Sequence, residues 1–335
     1  MSRVWSNTVL VGAIVTLLTV QARAEPIDHR FAHGIERAKR ATVGVLDEAA
    51  RDPRAVPAAR FTVRGSAFYI GNGYLVTAQH AVEREEKGEK IIQKEIIVLT
   101  ADLAEFPASL IGVNAFLDVA IYRSEQDVSA TLDSAAFSNT EPEAGDELFT
   151  VGYPLGWGPA LGFGRLGNPN VFLPTSNSRL FQIDLSACSG NSGGGFFNVN
   201  GEVVGVVHAM IQTESIQGER RCSRFAFAVP GVLAHRIVTA LISGEQPAFS
   251  KLGIQLTVVK MGTRWRVAVS EAAGPAFEGG IRKGDILLSI EDTAITDGVQ
   301  LKNYLIERTI PGQKVSVTVL RGQTKQVLYV TLGKA

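Results

Sequence analysis

Short apolar runs separated by turn residues fill the chain from about residue 41 to residue 229. The runs are rich in Val, Ile, Leu and Phe, and Gly, Pro and Asn interrupt them, which is the pattern of short β-strands. Many short strands at turn-punctuated intervals predict paired antiparallel barrels rather than a parallel sheet. The predicted strands are residues 67–70, 74–77, 96–100, 119–122, 148–151, 181–185, 203–207 and 225–229.

Helical spacing replaces this pattern on either side of the strand-rich region. Residues 27–40 predict an amphipathic arm, which either contacts another copy of the chain or packs on its own chain. Pro230 is well placed in the first turn of a second helix, and Gly244 is expected to end it. The apolar positions are Ile27, Phe31, Ile35 and Ala38 in the arm, and Val232, Leu233, Ile237 and Leu241 in the second helix.

A second and shorter set of predicted strands and helices begins after a short linker at residues 244–250. It holds a Leu-Gly-Ile segment at 252–254, a Gly-rich segment at 279–287, a helical stretch near 299–308 and closing strands at 314–320 and 326–332. The sequence therefore predicts two folded domains. The predicted divisions are a leader at 1–24, the arm at 25–40, a β-rich domain at 41–243, the linker, and a small α+β domain at 251–335.

The leader has the order of an export signal. Arg3 opens a short positive region, an apolar or neutral stretch follows at 8–20, and Ala22-Arg23-Ala24 fits a small-x-small cleavage site. The stretch is too short to span a bilayer comfortably as a helix. We therefore predict a cleaved signal peptide and a periplasmic protein, with an uncleaved membrane anchor as the alternative.

Composition narrows the possible partners. The formal net charge is +0 over 335 residues, and the chain is long enough for two or three domains with proper cores. Without a basic excess, an RNA-binding motif or a Cys/His cluster, neither nucleic acid nor structural zinc is expected, and we expect no cofactor. Because export leads to an oxidising compartment, Cys188 and Cys222 are expected to form a disulfide, with two free thiols as the alternative.

Three separated motifs supply the groups of a catalytic triad: T-A-Q-H ending at His80, L-D-V-A-I around Asp118, and G-N-S-G-G around Ser192. A serine hydroxyl barely ionises at neutral pH, so it needs an imidazole to take its proton and a carboxylate to orient that imidazole. His80, Asp118 and Ser192 provide these groups in that order. Glycines let the backbone turn sharply, so the N–H groups of Gly190, Asn191 and Ser192 are expected to form an oxyanion hole.

Together these motifs resemble those of the HtrA (DegP-like) family, trypsin-like serine proteases with a PDZ domain. Further matches are G-S-A-F at 65–68, G-Y-P at 152–154, G-E-V-V-G-V at 201–206, F-A-V-P at 227–230, and L-G-I and G-G-I-R-K-G-D-I-L in the small domain. The resemblance implies a mainly β double barrel followed by an α+β PDZ domain. It also implies an ATP-independent serine endopeptidase that cleaves unfolded or misfolded exported proteins as a homo-oligomer, commonly a trimer.

Several features depart from the family pattern. Gly195 stands where the family usually has proline, which predicts a more mobile strand after the nucleophile. The cysteine pair resembles the bridge beside the nucleophile in digestive trypsin-like enzymes. On the strand expected to flank bound substrate, a small polar run is replaced by His208, Ala209 and Met210.

The resemblance also places the S1 pocket, which receives the side chain preceding the cleaved bond. Its floor is expected six positions before the nucleophile, at Ser186. Ser186 and Ala187 are small and uncharged, which predicts a preference for small or medium apolar side chains. Asp184 is two residues out of register and is expected to point elsewhere. The rest of the predicted pocket is His208, Ala209 and Met210.

A PDZ fold binds an extended C-terminal peptide as an added strand beside a sheet edge. The candidates for the loop that receives the terminal carboxylate are Leu252, Gly253 and Ile254. The helix is expected to line the groove with Leu301, Tyr304 and Leu305. The alternative for these apolar residues is the ordinary core of a small domain.

A function of a different class is a peptide-binding chaperone or sensor whose protease fold is held inactive. Residues 156–168 and 170–179 are rich in Gly, Pro and Asn and are interpreted as loops that order only when substrate arrives. The complete set of three catalytic residue types argues against a permanently inactive enzyme.

Overall fold

The computed structural model describes residues 29–46, 63–173, 176–210 and 222–335, with the side chains of residues 29, 30, 209 and 210 left undescribed. The predicted signal peptide at 1–24 and the arm residue Ile27 lie outside these ranges.

The amphipathic arm is confirmed as helix α1, His29–Ala41. Ala38 is buried, and Phe31 and Ile35 pack against the apolar core between the barrels. The Phe31 ring meets the Phe149 ring edge-on, with 5.6 Å between centroids. Because residues at helical spacing share one face, the apolar face of α1 is covered by its own chain.

The first barrel is closed, with strand order β1-β2-β3-β8-β7-β6, and β4 and β5 form a separate hairpin. Successive side chains in a strand point to opposite faces, and the inward ones include Leu75, Val98 and Tyr122. The strands are β1 Thr42–Leu46, β2 Val63–Gly71, β3 Tyr74–Ala78, β4 Glu83–Glu86, β5 Glu89–Ile92, β6 Glu95–Leu99, β7 Glu105–Asn114 and β8 Val119–Arg123.

The second barrel is also closed, with strand order β10-β11-β14-β13-β12-β9. Its interior includes Phe181, Ile183 and Phe196. Every strand predicted from the apolar runs falls on a strand of one of the two barrels, so the antiparallel double barrel is confirmed. The strands are β9 Glu147–Gly152, β10 Ala160–Val171, β11 Leu180–Cys188, β12 Gly195–Phe197, β13 Val203–Met210 and β14 Cys222–Pro230.

Strand β10 corrects the interpretation of residues 156–168 as a loop. It pairs with β9 along one side and with β11 along the other. A Cβ at Gly164 would lie 2.2 Å from the carbonyl oxygen of Asp184, so only glycine permits this close approach of two strands. Gly164, which indicated a loop in the sequence, is therefore required by the close packing of β10 on β11.

Gly195, expected to loosen the strand after Ser192, is instead buried at the start of β12 and pairs with Val206 of β13. A Cβ at Gly195 would lie 2.6 Å from the ring of Phe197. The glycine therefore makes room for an aromatic ring of the core.

An apolar cluster joins the two barrels and fixes the cleft between them. It includes Phe68 and Ile121 from the first barrel, Phe149 and Phe197 from the second, and Leu233 from helix α2. Each such side chain contributes about 1.5–3 kcal/mol when fully buried. Helix α2 spans Gly231–Ile242, with Pro230 at its N-cap, one position earlier than predicted.

The C-terminal unit is a sheet with strand order β16-β17-β18-β20-β21, in which β19 pairs with β18 and β15 pairs separately with β22. Its core includes Leu287, Val317 and Leu301. The elements are β15 Ser250–Lys251, β16 Ile254–Met261, β17 Arg264–Ala272, α3 Pro275–Glu278, β18 Ile286–Ile290, β19 Thr293–Ala294, α4 Gly298–Arg308, β20 Lys314–Arg321, β21 Thr324–Thr331 and β22 Gly333–Lys334.

Helix α4 contacts the second barrel at its C-terminal end. The buried guanidinium of Arg179 donates to both carboxylate oxygens of Glu307, Nε to Oε1 at 2.6 Å and Nη2 to Oε2 at 3.0 Å. Arg236 of α2 donates to the carbonyl oxygen of Ile306 at 2.7 Å. Bidentate pairs of this kind fix orientation as well as distance, so α4 is held in one position against the barrel.

The expected disulfide joins Cys188 to Cys222. The two residues are Cα partners at the end of the β11–β14 ladder. Cys188 lies shortly before Ser192, so the bond fixes the strand that leads into the nucleophile loop.

We expect the double variant Cys188→Ala, Cys222→Ala to lose up to about 4 kcal/mol of unfolding free energy, because the bond closes a loop with a sequence separation of 34. Denaturant unfolding of the oxidised wild type and the variant measures this loss. The reduced wild type serves as the control and should unfold like the variant. Equal unfolding midpoints for oxidised wild type and variant would contradict the expectation.

Candidate active site

Asp118 lies in the turn between β7 and β8, and the backbone holds it in place. Leu117 N–H donates to the side-chain oxygen of Asn114 at 3.0 Å. Asp118 has φ +57°, the left-handed region that Asp tolerates better than most residues. Its carbonyl oxygen accepts from Gln79 N–H at 3.1 Å. The turn is therefore tied directly to the segment that carries His80.

His80 follows β3 in a short 3₁₀ turn, Gln79–Val82. Its backbone N–H donates to Asp118 Oδ1 at 2.9 Å, and its Nδ1 lies 2.6 Å from Asp118 Oδ2. A carboxylate only accepts hydrogen bonds, so Nδ1 carries the hydrogen and Nε2 of the neutral ring keeps a lone pair. This is the tautomer that a general base requires.

A second imidazole contacts the same carboxylate. Nδ1 of His208, on β13, lies 2.7 Å from Asp118 Oδ2. The His80 and His208 rings are nearly perpendicular, with 6.1 Å between centroids. The sequence assigned His208 to the S1 pocket and gave no indication of this contact, because the partner lies 90 positions away.

The charge on Asp118 results from two opposing effects. Burial alone would raise the pKa of its carboxyl group, whereas hydrogen bonds from His208 and then His80 lower it, and the resulting pKa is about 2. Asp118 is therefore an anion throughout the neutral range, and its oxygens act only as hydrogen-bond acceptors.

The loop that carries Ser192, the candidate nucleophile, is docked on the first barrel by Ser66 of β2. Ser66 N–H donates to the carbonyl oxygen of Ser192 at 2.8 Å, and its hydroxyl donates to the carbonyl oxygen of Gly190 at 2.7 Å. A Cβ at Gly193, where φ is +83°, would lie 2.2 Å from Thr77 Oγ1, so this residue must be glycine for the loop to approach β3 so closely.

These contacts place the loop of Ser192 against Ser66 of β2 and Thr77 of β3, and Thr77 lies three residues before His80. Within the described part of the chain, no hydrogen bond joins the Ser192 hydroxyl to His80. Such bonds are often long in free enzymes and tighten only when substrate is bound. The structure therefore pairs the imidazole with the carboxylate and places the serine loop beside them.

Residues 188–191 form a tight turn that arranges the predicted oxyanion hole. Gly190 has φ +103°, and the carbonyl oxygen of Ser189 accepts from Leu155 N–H at 2.6 Å. Because C=O and N–H point in opposite directions across a trans peptide, the Gly190 N–H points away from Leu155. Among the described residues, no acceptor takes up the N–H of Gly190 or of Ser192.

Asn191 is a correction to the predicted oxyanion hole. Its N–H donates to the carbonyl oxygen of Cys188 at 3.0 Å and so closes the turn. Its side chain is buried and leaves Oδ1 without a hydrogen-bond partner among the described residues. Gly190 and Ser192 therefore remain as the candidate donors.

The predicted S1 residues lie in different environments. Ser186 is exposed on β11, whereas Ala187 is packed in the core of the second barrel and does not line a pocket. His208 is bonded to Asp118, so its ring is not a free pocket wall. Residues 209 and 210 belong to β13, but their side chains are outside the description.

Asp184 points to the protein surface. Its Oδ1 lies 3.2 Å from Nε of Arg224, and both side chains are largely exposed.

Asp118 and the two histidines are also the donor types that a transition metal prefers, and their ligand atoms lie within 4.8 Å of one another. Ligands that share a tetrahedral zinc at its usual bond lengths lie roughly 3.3 Å apart. The observed nitrogen–oxygen distances of 2.6 and 2.7 Å are those of direct hydrogen bonds. At these distances, the two histidines are hydrogen-bonded directly to Asp118 and are not spaced as ligands of a shared metal ion.

The C-terminal unit has a separate groove between β16 and α4, with a volume of about 600 Å³. Its lining includes Leu252, Gly253, Ile254, Leu301 and Leu305, which the sequence analysis proposed as peptide-binding residues. Among the described strands, β16 pairs only with β17 in its sheet. One edge of β16 therefore faces the groove and is open to an added strand.

Tyr304 is a correction to the predicted groove. It lines a separate polar cavity with Arg179 and Glu307 and does not line the groove. The sequence identified the helix correctly, but Tyr304 lies one residue from Leu305 and therefore projects about 100° away from it around the helix axis.

Comparisons with known proteins agree with this arrangement. The chain matches the family model of the trypsin-like peptidase domain over residues 65–206 and that of the PDZ domain over residues 250–332. It is 29% identical over 283 residues to "Probable periplasmic serine endoprotease DegP-like" of Ectopseudomonas mendocina. A protein of the same name from Pseudomonas fulva is 28% identical. The alignments cover 80% of this chain but only 56% and 55% of these relatives.

Solved structures share the fold. The HtrA-type protease AlgW with a bound tripeptide is 25% identical, with a TM-score of 0.72 and coverage of 91% of this chain and 97% of AlgW. The serine endoprotease from Yersinia pestis has a TM-score of 0.61 at 23% identity, over 91% of this chain and 98% of that one. No helix in the described ranges is both long and apolar enough to cross a membrane. With its trypsin-like peptidase domain followed by one PDZ domain, this chain is HtrA-like.

Proposed function

We propose that this protein is an ATP-independent serine endopeptidase that cleaves unfolded or misfolded exported proteins. The observation that carries the proposal is the pair of bonds from His80 to the Asp118 carboxylate, 2.9 Å from the backbone and 2.6 Å from Nδ1. They orient an imidazole at the cleft into which the loop of Ser192 is docked. The substrate class is what the resemblance to the HtrA family implies, and the relatives' names give a periplasmic serine endoprotease.

In the proposed reaction, Ser192 Oγ attacks the carbonyl carbon of the scissile bond while His80 Nε2 accepts the hydroxyl proton. Asp118 stabilises the imidazolium that forms. The N–H groups of Gly190 and Ser192 stabilise the oxyanion of the tetrahedral intermediate. His80 then donates the proton to the leaving amine, and a water molecule activated by the same imidazole releases the acyl group from Ser192.

The proposed substrate is an extended chain. A cleft between two barrels admits a peptide whose backbone is free to pair, and an unfolded protein offers such segments. Ser186 is small and uncharged, which supports a preference for small or apolar side chains before the cleaved bond. We assign the groove between β16 and α4 to C-terminal peptides, whose carboxylate would meet the loop at Gly253.

We further propose that residues 1–24 are a cleaved signal peptide and that the mature protein is periplasmic, in line with the relatives' names. The proposed boundaries are 41–243 for the protease domain and 251–335 for the PDZ domain. The homo-oligomer, a trimer by family resemblance, stays a prediction.

The inactive chaperone or sensor is not favoured. A permanently inactive protease fold has no need of an oriented imidazole or of outward-pointing N–H groups at the nucleophile. Here Asp118 holds His80 with two hydrogen bonds. The carbonyl oxygen of Ser189 accepts from Leu155 N–H, which leaves the Gly190 N–H pointing away from Leu155. Both features are those of a competent site.

We expect Ser192→Ala to abolish cleavage of unfolded casein, by a factor of at least about 1,000, because no other group replaces the attacking oxygen. Mass spectrometry of the products measures cleavage and shows the residues before each cut. Ser189→Ala, in the same turn, is the matched control and should cleave within about threefold of wild type. Equal cleavage by Ser192→Ala and wild type would refute the assignment, and cuts chiefly after Lys or Arg would refute the S1 prediction.

We expect a labelled peptide with an apolar C-terminal residue to bind the full-length Ser192→Ala protein, and its C-terminal amide to bind at least about tenfold more weakly. Leu301→Glu places a charge in the apolar groove and should weaken binding similarly in fluorescence anisotropy. Gln300→Glu is the matched control, since this exposed neighbour adds the same charge and keeps an acceptor for Thr296. Binding that is indifferent to the free carboxylate would contradict the assigned groove.

A further inference from the structure

His208 lies at a point where β13 departs from regular pairing. Val207 pairs with Ala228 and Ala209 pairs with Phe227, so His208 is the extra residue of a β-bulge. Bulges re-aim a side chain relative to its neighbours in the strand. Here the bulge directs the imidazole across the cleft to Asp118, on the other barrel.

The residue before His208 is bound to the nucleophile loop. Val207 accepts from Gly193 N–H at 2.8 Å and donates to the carbonyl oxygen of Gly194 at 2.8 Å. Consecutive residues of β13 therefore fix the serine loop and the carboxylate of Asp118. The strand acts as a spacer between two parts of the catalytic site.

The protonation pattern of the cluster follows from its geometry. Both imidazoles direct Nδ1 at Asp118 Oδ2, at 2.6 Å from His80 and 2.7 Å from His208. A carboxylate anion has no hydrogen to give, so each Nδ1 must be the donor. His208 is therefore a second hydrogen-bond donor to the oxygen that orients the general base, and its side chain is only 16% exposed.

We propose that His208 is a positioning residue for catalysis, which holds the Asp118 carboxylate in the orientation that keeps His80 aligned. This inference rests on the proposed protease function and replaces the S1 role that the sequence suggested. The second donor also satisfies a buried charge that would otherwise have His80 as its only side-chain partner among the described residues. A hydrogen bond to a charged group is among the stronger ones in proteins.

A role as a substrate-pocket wall predicts something different. A wall residue contributes to substrate binding, so its loss would change KM and the residue preferred before the cut. A positioning residue acts on the protonation and alignment of His80, so its loss lowers kcat and leaves KM nearly unchanged.

The test uses a fluorogenic peptide based on a casein cut site and two variants of the full-length protein. Asn places an amide N–H at the position of imidazole Nδ1, whereas Leu has similar bulk and no donor. We expect His208→Leu to lower kcat about tenfold or more with KM within twofold of wild type. His208→Asn should retain kcat within about threefold, and thermal unfolding verifies that both variants are folded.

Full kcat in His208→Leu, an equal loss in His208→Asn, or a loss confined to KM would each overturn the positioning role. If His208→Leu does not fold, the kcat of His208→Asn relative to wild type still tests the positioning role, together with NMR of protein labelled with ¹⁵N-histidine. Wild type should show two strongly hydrogen-bonded Nδ1 protons and His208→Asn one, and a single such proton in wild type would overturn the proposal. Absence of any cleavage by wild type would instead contradict the proposed protease function.

Discussion

The carboxylate of Asp118 is the group on which the rest of the site depends. It is a largely buried anion in the cleft between two barrels, with 16% of its side chain exposed. It remains charged because three N–H donors, two from His80 and one from His208, bind its oxygens. Burial alone would raise the pKa of this carboxyl group, but the hydrogen bonds from His208 and His80 outweigh burial and lower the pKa to about 2. An uncompensated buried charge would be very costly, so these donors are a condition for both the stability and the chemistry of the cleft.

The fold supplies those donors from separate parts of the chain. His80 comes from the turn after β3, and His208 comes from a bulge in β13 of the other barrel. Ser66 of β2 donates to the carbonyl oxygens of Gly190 and Ser192 in the loop of the candidate nucleophile. The apolar cluster shared by the barrels keeps these elements at fixed distances, so the site is preorganised by packing that lies outside it.

The PDZ unit is part of the same framework. Its groove lies on one face of α4, and the opposite face is bound to the second barrel through Arg179 and Glu307. One helix therefore separates a peptide groove from the protease fold.

Local patterns in the sequence were sufficient to predict the strands, the helical arm, and the residues His80 and Asp118 that the fold brings into contact. These features depend on short-range periodicity or on motifs with fixed spacing. The contact of His208 with Asp118 could not be predicted, since it depends on a bulge in one barrel meeting a turn in the other. Asn191 and Tyr304 were misassigned because neighbouring residues in a turn or helix point in different directions.

Strand β10 shows a further limit. Its glycines have the composition of a loop, yet Gly164 is needed because β11 passes too close for a side chain. Such a requirement is visible only when both strands are in place.

The most direct measurement of the central claim is reaction with a fluorophosphonate, which labels a serine only when a neighbouring base activates it. We expect stoichiometric labelling at Ser192, located by peptide mass spectrometry, and a loss of labelling rate of at least about 1,000-fold in His80→Ala. The account is contradicted if Ser192 is labelled at the same rate without the imidazole, or if the folded wild type is not labelled. Either result means that Ser192 is not activated by an imidazole that Asp118 holds in place.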